Sequence, residues 1–148
     1  MVGSIPDFTD SGILPAGIHW ASWQEIHQRF GQTARRQDLL IGLMEGINAL
    51  RMAGCRAIFL DGSFCTNKLV PGDFDVCYED GAIDWDMLQQ IAPVLLQFDN
   101  QRAAQKAKYL GEFFPYSAVA APPNTLFLEF FQIDKVSGLA KGIVGLKL

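Results

Sequence analysis

The chain is short of cysteine, of net charge and of long apolar runs, and each shortage removes a class of protein. Its three cysteines, Cys55, Cys65 and Cys77, cannot all pair, and they lie ten and twelve residues apart with no C-x-x-C, which argues against a disulfide framework and a cysteine zinc knuckle. No apolar run approaches the roughly 18 residues that cross a bilayer. The opening Met1-Val2-Gly3-Ser4-Ile5-Pro6-Asp7 has no basic stretch followed by an apolar one, so no signal peptide is expected. Twelve Lys and Arg against sixteen Asp and Glu leave a net charge of −4, which argues against a nucleic-acid coat and against a duplex-DNA partner. These shortages together predict a soluble protein of the reducing cytoplasm, with no membrane partner. Apolar residues, in contrast, are plentiful. At 49% hydrophobic, with 11 Phe in 148 residues, the chain has the material for one packed domain. No repeat or long linker divides residues 1–148, and the Gly-, Pro- and Asp-rich residues 1–20 read as an extended arm.

The local signals alternate between helix and strand. Ser22-Trp23-Gln24-Glu25 matches a capping box and opens a short helix to about Phe30, stopped by Gly31. Leu39, Leu40, Leu43, Ile47 and Leu50 recur at spacings of three and four, a single apolar stripe on a helix from about Ala34 to Ala53, with Gly54 placed as its C-terminal cap. Ala57-Ile58-Phe59-Leu60 is a buried strand running into Asp61-Gly62-Ser63, and Asp73 to Tyr78 alternates as a second strand after the Pro71-Gly72 turn. Asp84 caps a helix over Trp85–Phe98 that Pro93 must kink or break. A helix around Arg102–Tyr109, a third strand from Thr125 to Ile133 and a last strand from Gly142 to Leu148 complete the reading; residues 110–124 carry no clear signal. The interleaving predicts an α/β (α+β) layer structure with one sheet.

The chemistry concentrates in Leu60 to Glu79, LDGSFCTNKLVPGDFDVCYE. Glycine directly after a buried strand lets backbone approach a ligand closely, so the amides of Gly62-Ser63 and the Ser63 hydroxyl suit phosphate oxygens. Asp73 and Asp75, two residues apart in a strand, project from one face. At about 6–7 Å and an effective dielectric of about 20 their repulsion is roughly 2.5 kcal/mol, which a divalent cation converts into a site. Mg²⁺, one ion or two, is the natural candidate, since it takes carboxylates and completes its shell with phosphate oxygens and water. Ordinary turn chemistry after Pro71-Gly72 is the competing account of the pair. Glu129, set in Leu126-Phe127-Leu128-Glu129-Phe130-Phe131 with apolar residues on both strand faces, needs a Lys or Arg partner, an exposed edge or a metal.

A Gly-Ser turn, an Asp-x-Asp strand and a carboxylate on a later strand resemble the polymerase-β-type nucleotidyltransferase superfamily. Nearly the whole chain further resembles a small bacterial family of nucleotidyltransferase-like proteins, in Trp23-to-Phe30, Ala53-Gly54-Cys55, Leu60-Asp61-Gly62-Ser63, Asp73-to-Val76, Lys106-Ala107-Lys108-Tyr109, Phe130-Phe131-Gln132 and Lys141-Gly142-Ile143. The resemblance implies a nucleotidyltransferase fold, a mixed sheet flanked by helices. It implies that Gly62 and Ser63 hold the phosphates of a nucleoside triphosphate, that Asp73 and Asp75 bind Mg²⁺ and that Glu129 stands as third carboxylate. The implied reaction moves a nucleoside monophosphate to a hydroxyl of an RNA or protein acceptor, and relatives of this size suggest a toxin–antitoxin or defence role with a cognate toxin or antitoxin as partner.

This chain departs from that pattern in two ways. Glu129 is one methylene longer than the usual Asp, and Phe64-Cys65-Thr66-Asn67 follows Gly-Ser where relatives often carry Arg, leaving Lys68 as the phosphate cation or as a solvated loop residue. Arg102, Lys106 and Lys108 form a basic cluster, either a solvated helix face or contacts to acceptor or phosphate, with Tyr109 placed to stack on a base. Lys141 faces a phosphate or pairs with Glu129. Two other readings compete with the enzyme: a catalytically inactive binding module on the same fold, holding a partner protein or nucleotide, and, more weakly, a metal-dependent nuclease.

Overall fold

In the computed structural model, which describes residues 5–148, a mixed five-stranded sheet carries four helices on one face and a single helical turn on the other. In chain order come β1 (Gly17–Trp20), α1 (Trp23–Phe30), α2 (Ala34–Met52), β2 (Ala57–Asp61), β3 (Phe74–Tyr78), α3 (Trp85–Ile91), α4 (Asp99–Tyr109), β4 (Gly111–Pro115), β5 (Val119–Ala121), β6 (Thr125–Leu126), α5 (Phe127–Phe130) and β7 (Gly142–Lys147). The sheet runs β1-β7-β2-β3-β4, and β5 and β6 form a separate two-stranded ribbon. β7, β2 and β3 are antiparallel neighbours, whereas the outer pairs β1–β7 and β3–β4 are parallel.

Short-range chemistry sets most of these elements. Ser22 accepts from the Glu25 amide and the Glu25 carboxylate accepts from the Ser22 amide, both at 3.1 Å, closing the capping box of α1. The stripe on α2 buries Leu39, Leu43, Ile47 and Leu50 completely, in one cluster with Leu60, Val76, Phe113 and Val144 of the sheet. Each such side chain contributes about 1.5–3 kcal/mol of burial. A Cβ at Gly42 would overlap the Tyr109 carbonyl and one at Gly46 the Phe113 ring, so these two glycines let α2 lie close on α4 and β4. Pro93, lacking an amide hydrogen, breaks the expected 85–98 helix: α3 ends at Ile91 and a 3-10 turn follows over Pro93–Leu96. Asn100, Gln101 and Arg102, at the start of α4, carry φ of 51°, 54° and 59°, a left-handed turn that costs about 1–2 kcal/mol per residue.

Two expectations are corrected. The expected extended arm over residues 1–20 is, from residue 5 on, packed into the domain: Met1–Ser4 lie outside the described residues, Leu14 is buried in the core and Gly17–Trp20 form an edge strand of the sheet. Thr125–Ile133 is not a strand. Thr125 and Leu126 pair with β5, Ile133 makes an isolated bridge to Ala140, and residues 127–130 between them form a helical turn closed by the Phe131 amide on the Phe127 carbonyl at 2.9 Å. The run satisfies both periods, since Phe127, Phe130 and Phe131 are also spaced for a helix. The helical choice lets Phe127 stack on Phe114 with ring centroids 4.1 Å apart while Phe131 meets the same ring edge-on at 6.3 Å. Glu129 is thereby left exposed on this turn.

Candidate functional site

Strand register builds a row of carboxylates. Asp61 is the Cα partner of Asp75 across β2 and β3, and Asp75 is the partner of Glu112 across β3 and β4. Directly opposed residues share a face. Alternation along each strand puts the three on the side of Phe59, Cys77 and Phe114, opposite α1–α4 and on the face where α5 packs. Asp73, two residues before Asp75, joins the same side at the end of the sheet. Glu112 is held in register by its neighbour: the Phe113 amide donates to the buried Gln105 side chain at 2.7 Å, and Gln105 donates to the Leu95 carbonyl at 3.0 Å.

The ends of the row are neutralised. Lys141 lies 2.8 Å from Asp61, and Lys106 lies 2.9 Å and Arg102 3.6 Å from Glu112. Asp73 and Asp75 have no ion pair or hydrogen bond among the described residues. Burial first, then the charges of Asp73, Glu112 and Asp61, push the Asp75 carboxyl up to about 7. Burial and then Glu112 raise Asp73, and burial raises Asp61 against the pull of Lys141. The all-oxygen donor set of these carboxylates fits a hard cation such as Mg²⁺. Among the described residues no group of three or more His, Cys, Asp or Glu has the arrangement of a ready-made metal shell; Glu112 instead faces Lys106.

The glycine turn packs against this row. Gly62 has φ of 88°, and a Cβ there would lie 3.0 Å from the Asp75 carboxylate, so glycine brings the turn and the Asp-x-Asp strand together. Ser63 opens a 3-10 turn whose carbonyl accepts from the Thr66 hydroxyl at 2.7 Å. Two adjacent arginines at the start of α2 hold the loop between turn and strand. Arg36, 5% exposed and with no acidic partner in the structure described, donates to the carbonyls of Phe30, Phe64, Thr66 and Lys68 at 2.6–3.2 Å. Arg35 donates to the carbonyls of Pro71, at 3.1 Å, and Gly72. Burial lowers the Arg36 pKa, but an arginine stays charged in protein.

Gly62, Ser63, Asp73 and Asp75 therefore meet at one end of the sheet, as their spacing predicts. Glu129 does not join them. It lines a separate pocket with Tyr116, Ser117, Leu126 and Leu128, and the charges that act most on Asp75 are Asp73, Glu112, Asp61 and Lys135. Lys68 is exposed on its loop. Arg102 and Lys106 are no solvated face: both turn to Glu112. Lys108 stays exposed, 5.6 Å over the ring of Tyr109, and Tyr109 is buried against Phe113 and offers no stacking surface. Lys141 pairs with Asp61, not with Glu129. Sequence reasoning missed Glu112, Asp61 and Arg36 as site residues. Gly111-Glu112-Phe113-Phe114, a lone acid in an apolar stretch after a basic helix, was the available signal for the first; nothing local marks Arg36.

A cavity of about 510 Å³ beside Trp20, Trp23, Arg51 and Lys147 lies away from this row. β2 runs from Ala57, opposite Lys147, to Asp61 at its other end. Among the described residues no helix is long and apolar enough to cross a membrane. The chain belongs to a family of unknown function, DUF6932, matched over residues 6–147. No curated protein and no solved structure matches it significantly.

Proposed function

We propose that the chain is a nucleotidyltransferase-like protein of the polymerase-β type, transferring a nucleoside monophosphate from a nucleoside triphosphate to a hydroxyl of an RNA or protein acceptor. The observation that carries this reading is the register Asp61–Asp75–Glu112 with Gly62 seated against Asp75. It supplies the third carboxylate on a strand beside the Asp-x-Asp pair, the role first read for Glu129. Asp73, Asp75 and Glu112 are the residues that would hold Mg²⁺. When bound, the ion neutralises the phosphates and lowers the pKa of an attacking hydroxyl. The Gly62-Ser63 amides and the Ser63 hydroxyl cradle phosphate oxygens, and Lys106 and Lys141 supply positive charge at the two ends of the row. The Arg35–Arg36 clamp keeps the loop from drifting, which matters because a displacement of about 1 Å can cost roughly 10²-fold in rate. Three free, buried cysteines accord with a cytoplasmic setting. A toxin–antitoxin role belongs to the same proposal.

Incubation with α-labelled nucleoside triphosphates, Mg²⁺ and cell extract tests the activity. Label is expected on a macromolecule with the native chain and not with Asp75→Asn; no label with any nucleotide contradicts it. One observation favours a second reading, the inactive binding module: Glu112 and Asp61 already carry lysine partners, so the row is partly neutral without metal. A stable complex with a partner protein that Asp75→Asn leaves intact, together with absent transfer, selects that reading.

A further inference from the structure

Beyond Glu112, the same side of β4 leads to a cavity of about 280 Å³ lined by Phe98, Arg102, Phe114, Pro115, Ala118 and Phe127. We propose that this cavity holds the nucleobase of the nucleotide whose phosphates meet Asp73, Asp75 and Glu112; the inference rests on the nucleotidyltransferase reading and adds to it the place of the base. The first support is adjacency. Glu112 and Phe114 are two residues apart on β4 and share a face, so the cavity starts about 7 Å along the strand from Glu112, within the span of a sugar between phosphates and base.

The second support is the lining. Phe114 is covered by Phe127, stacked on it at 4.1 Å, and by the Arg102 guanidinium 5.0 Å over its ring, so the part-exposed Phe98 ring, the ring edges and the guanidinium edge are what a flat base with hydrogen-bond acceptors on its rim would meet.

The third support is Arg102 itself. It is the last residue of the left-handed turn Asn100–Arg102, and such non-glycine backbone persists where the surroundings fix it, often at ligand sites. Its guanidinium lies 5.0 Å over the Phe114 ring and 3.6 Å from Glu112, and its buried Nε has no hydrogen-bond partner. Arg102 therefore touches the carboxylate row and the cavity wall at once, with a donor to spare.

Calorimetric titration of the full chain in Mg²⁺ with inorganic tripolyphosphate, and with each of the common ribonucleoside triphosphates, tests this. At least one nucleotide is expected to bind about 10-fold or more tightly than tripolyphosphate, the difference being the stacked base. Ala118→Phe fills the cavity without deleting a packed side chain. It should bring that nucleotide down to the tripolyphosphate affinity and leave tripolyphosphate binding unchanged. Phe98→Ala, at a residue already 38% exposed, should cause a smaller loss and guards against a folding defect. Nucleotides that bind no better than tripolyphosphate, as when the cavity serves an apolar side chain of a partner, overturn the proposal, as does a preference that survives Ala118→Phe. Absence of binding by both ligands overturns the nucleotidyltransferase reading itself, and the base site with it.

Discussion

The outer and inner carboxylates of the row keep different electrostatic company. Asp61 and Glu112 each face a lysine at 2.8–2.9 Å, while the Asp73 and Asp75 side chains make no ion pair among the described residues and feel Lys135 only at longer range. Folding has thus neutralised the ends of the row by direct contact and left the middle without one. Structural ion pairs and ligand sites are built from the same residue types. What separates them here is whether the chain supplies a counter-charge in direct contact, and the inner pair is where it does not.

The largest expected effect falls on the outer end. Asp61→Asn strands the Lys141 ammonium, whose side chain is only 14% exposed, and should cost about 3–5 kcal/mol in urea unfolding. The double variant Asp61→Asn/Lys141→Met should recover much of that loss. Asp75→Asn should do the opposite, stabilising the metal-free protein by about 1 kcal/mol at pH 8 through removal of like-charge repulsion, while erasing any rise of Tm on adding Mg²⁺. pH sharpens the same contrast. Because the Asp75 carboxyl is raised to about 7 in the folded chain, the native state binds more protons than the unfolded state between its ordinary range near 4 and 7. The Asp75 contribution to metal-free stability therefore falls as pH rises through that window. Mg²⁺ needs the ionised carboxylate, so the Tm shift it produces should grow from pH 6 to pH 8; a Tm shift independent of pH would break the link. The smallest stability effect belongs to Lys106→Met. Lys106 is 40% exposed, so its loss should cost less than about 1 kcal/mol, yet removing a cation beside the row should strengthen Mg²⁺ binding by about 3- to 10-fold at low salt.

How far these features could be read beforehand depends on whether their cause is local. The capping box at Ser22, the apolar stripe on α2 and the break at Pro93 are written within a few residues, and the structure follows them. So are Gly62-Ser63 and the Asp73/Asp75 pair, because a strand puts alternate residues on one side whatever surrounds it. Glu112 was not readable in this way. Its place depends on β4 pairing parallel with β3, a contact across 37 positions fixed by the packing of α4 and by Gln105; a lone acid in an apolar stretch marks the residue but not its partners. Glu129 illustrates the converse error. Its run is apolar on both faces, as a buried strand can be, but Phe127 and Phe131, spaced for a helix, found Phe114 as a common partner, and ring stacking decided between two readings that the local pattern left equal. Arg36 belongs with Glu112: its role is to hold carbonyls up to 32 positions away, and a basic residue at the start of a helix is otherwise an ordinary surface feature.

Manganese titration followed by water proton relaxation reaches the central claim directly, because it reports cation binding without requiring a nucleotide or an acceptor. The native chain and Glu129→Gln should bind Mn²⁺ with the same affinity, Glu112→Gln should bind it at least about 10-fold more weakly, and Asp75→Asn should not bind it measurably. A native chain that binds no Mn²⁺, or a loss that follows residue 129 and spares residue 112, would contradict the account.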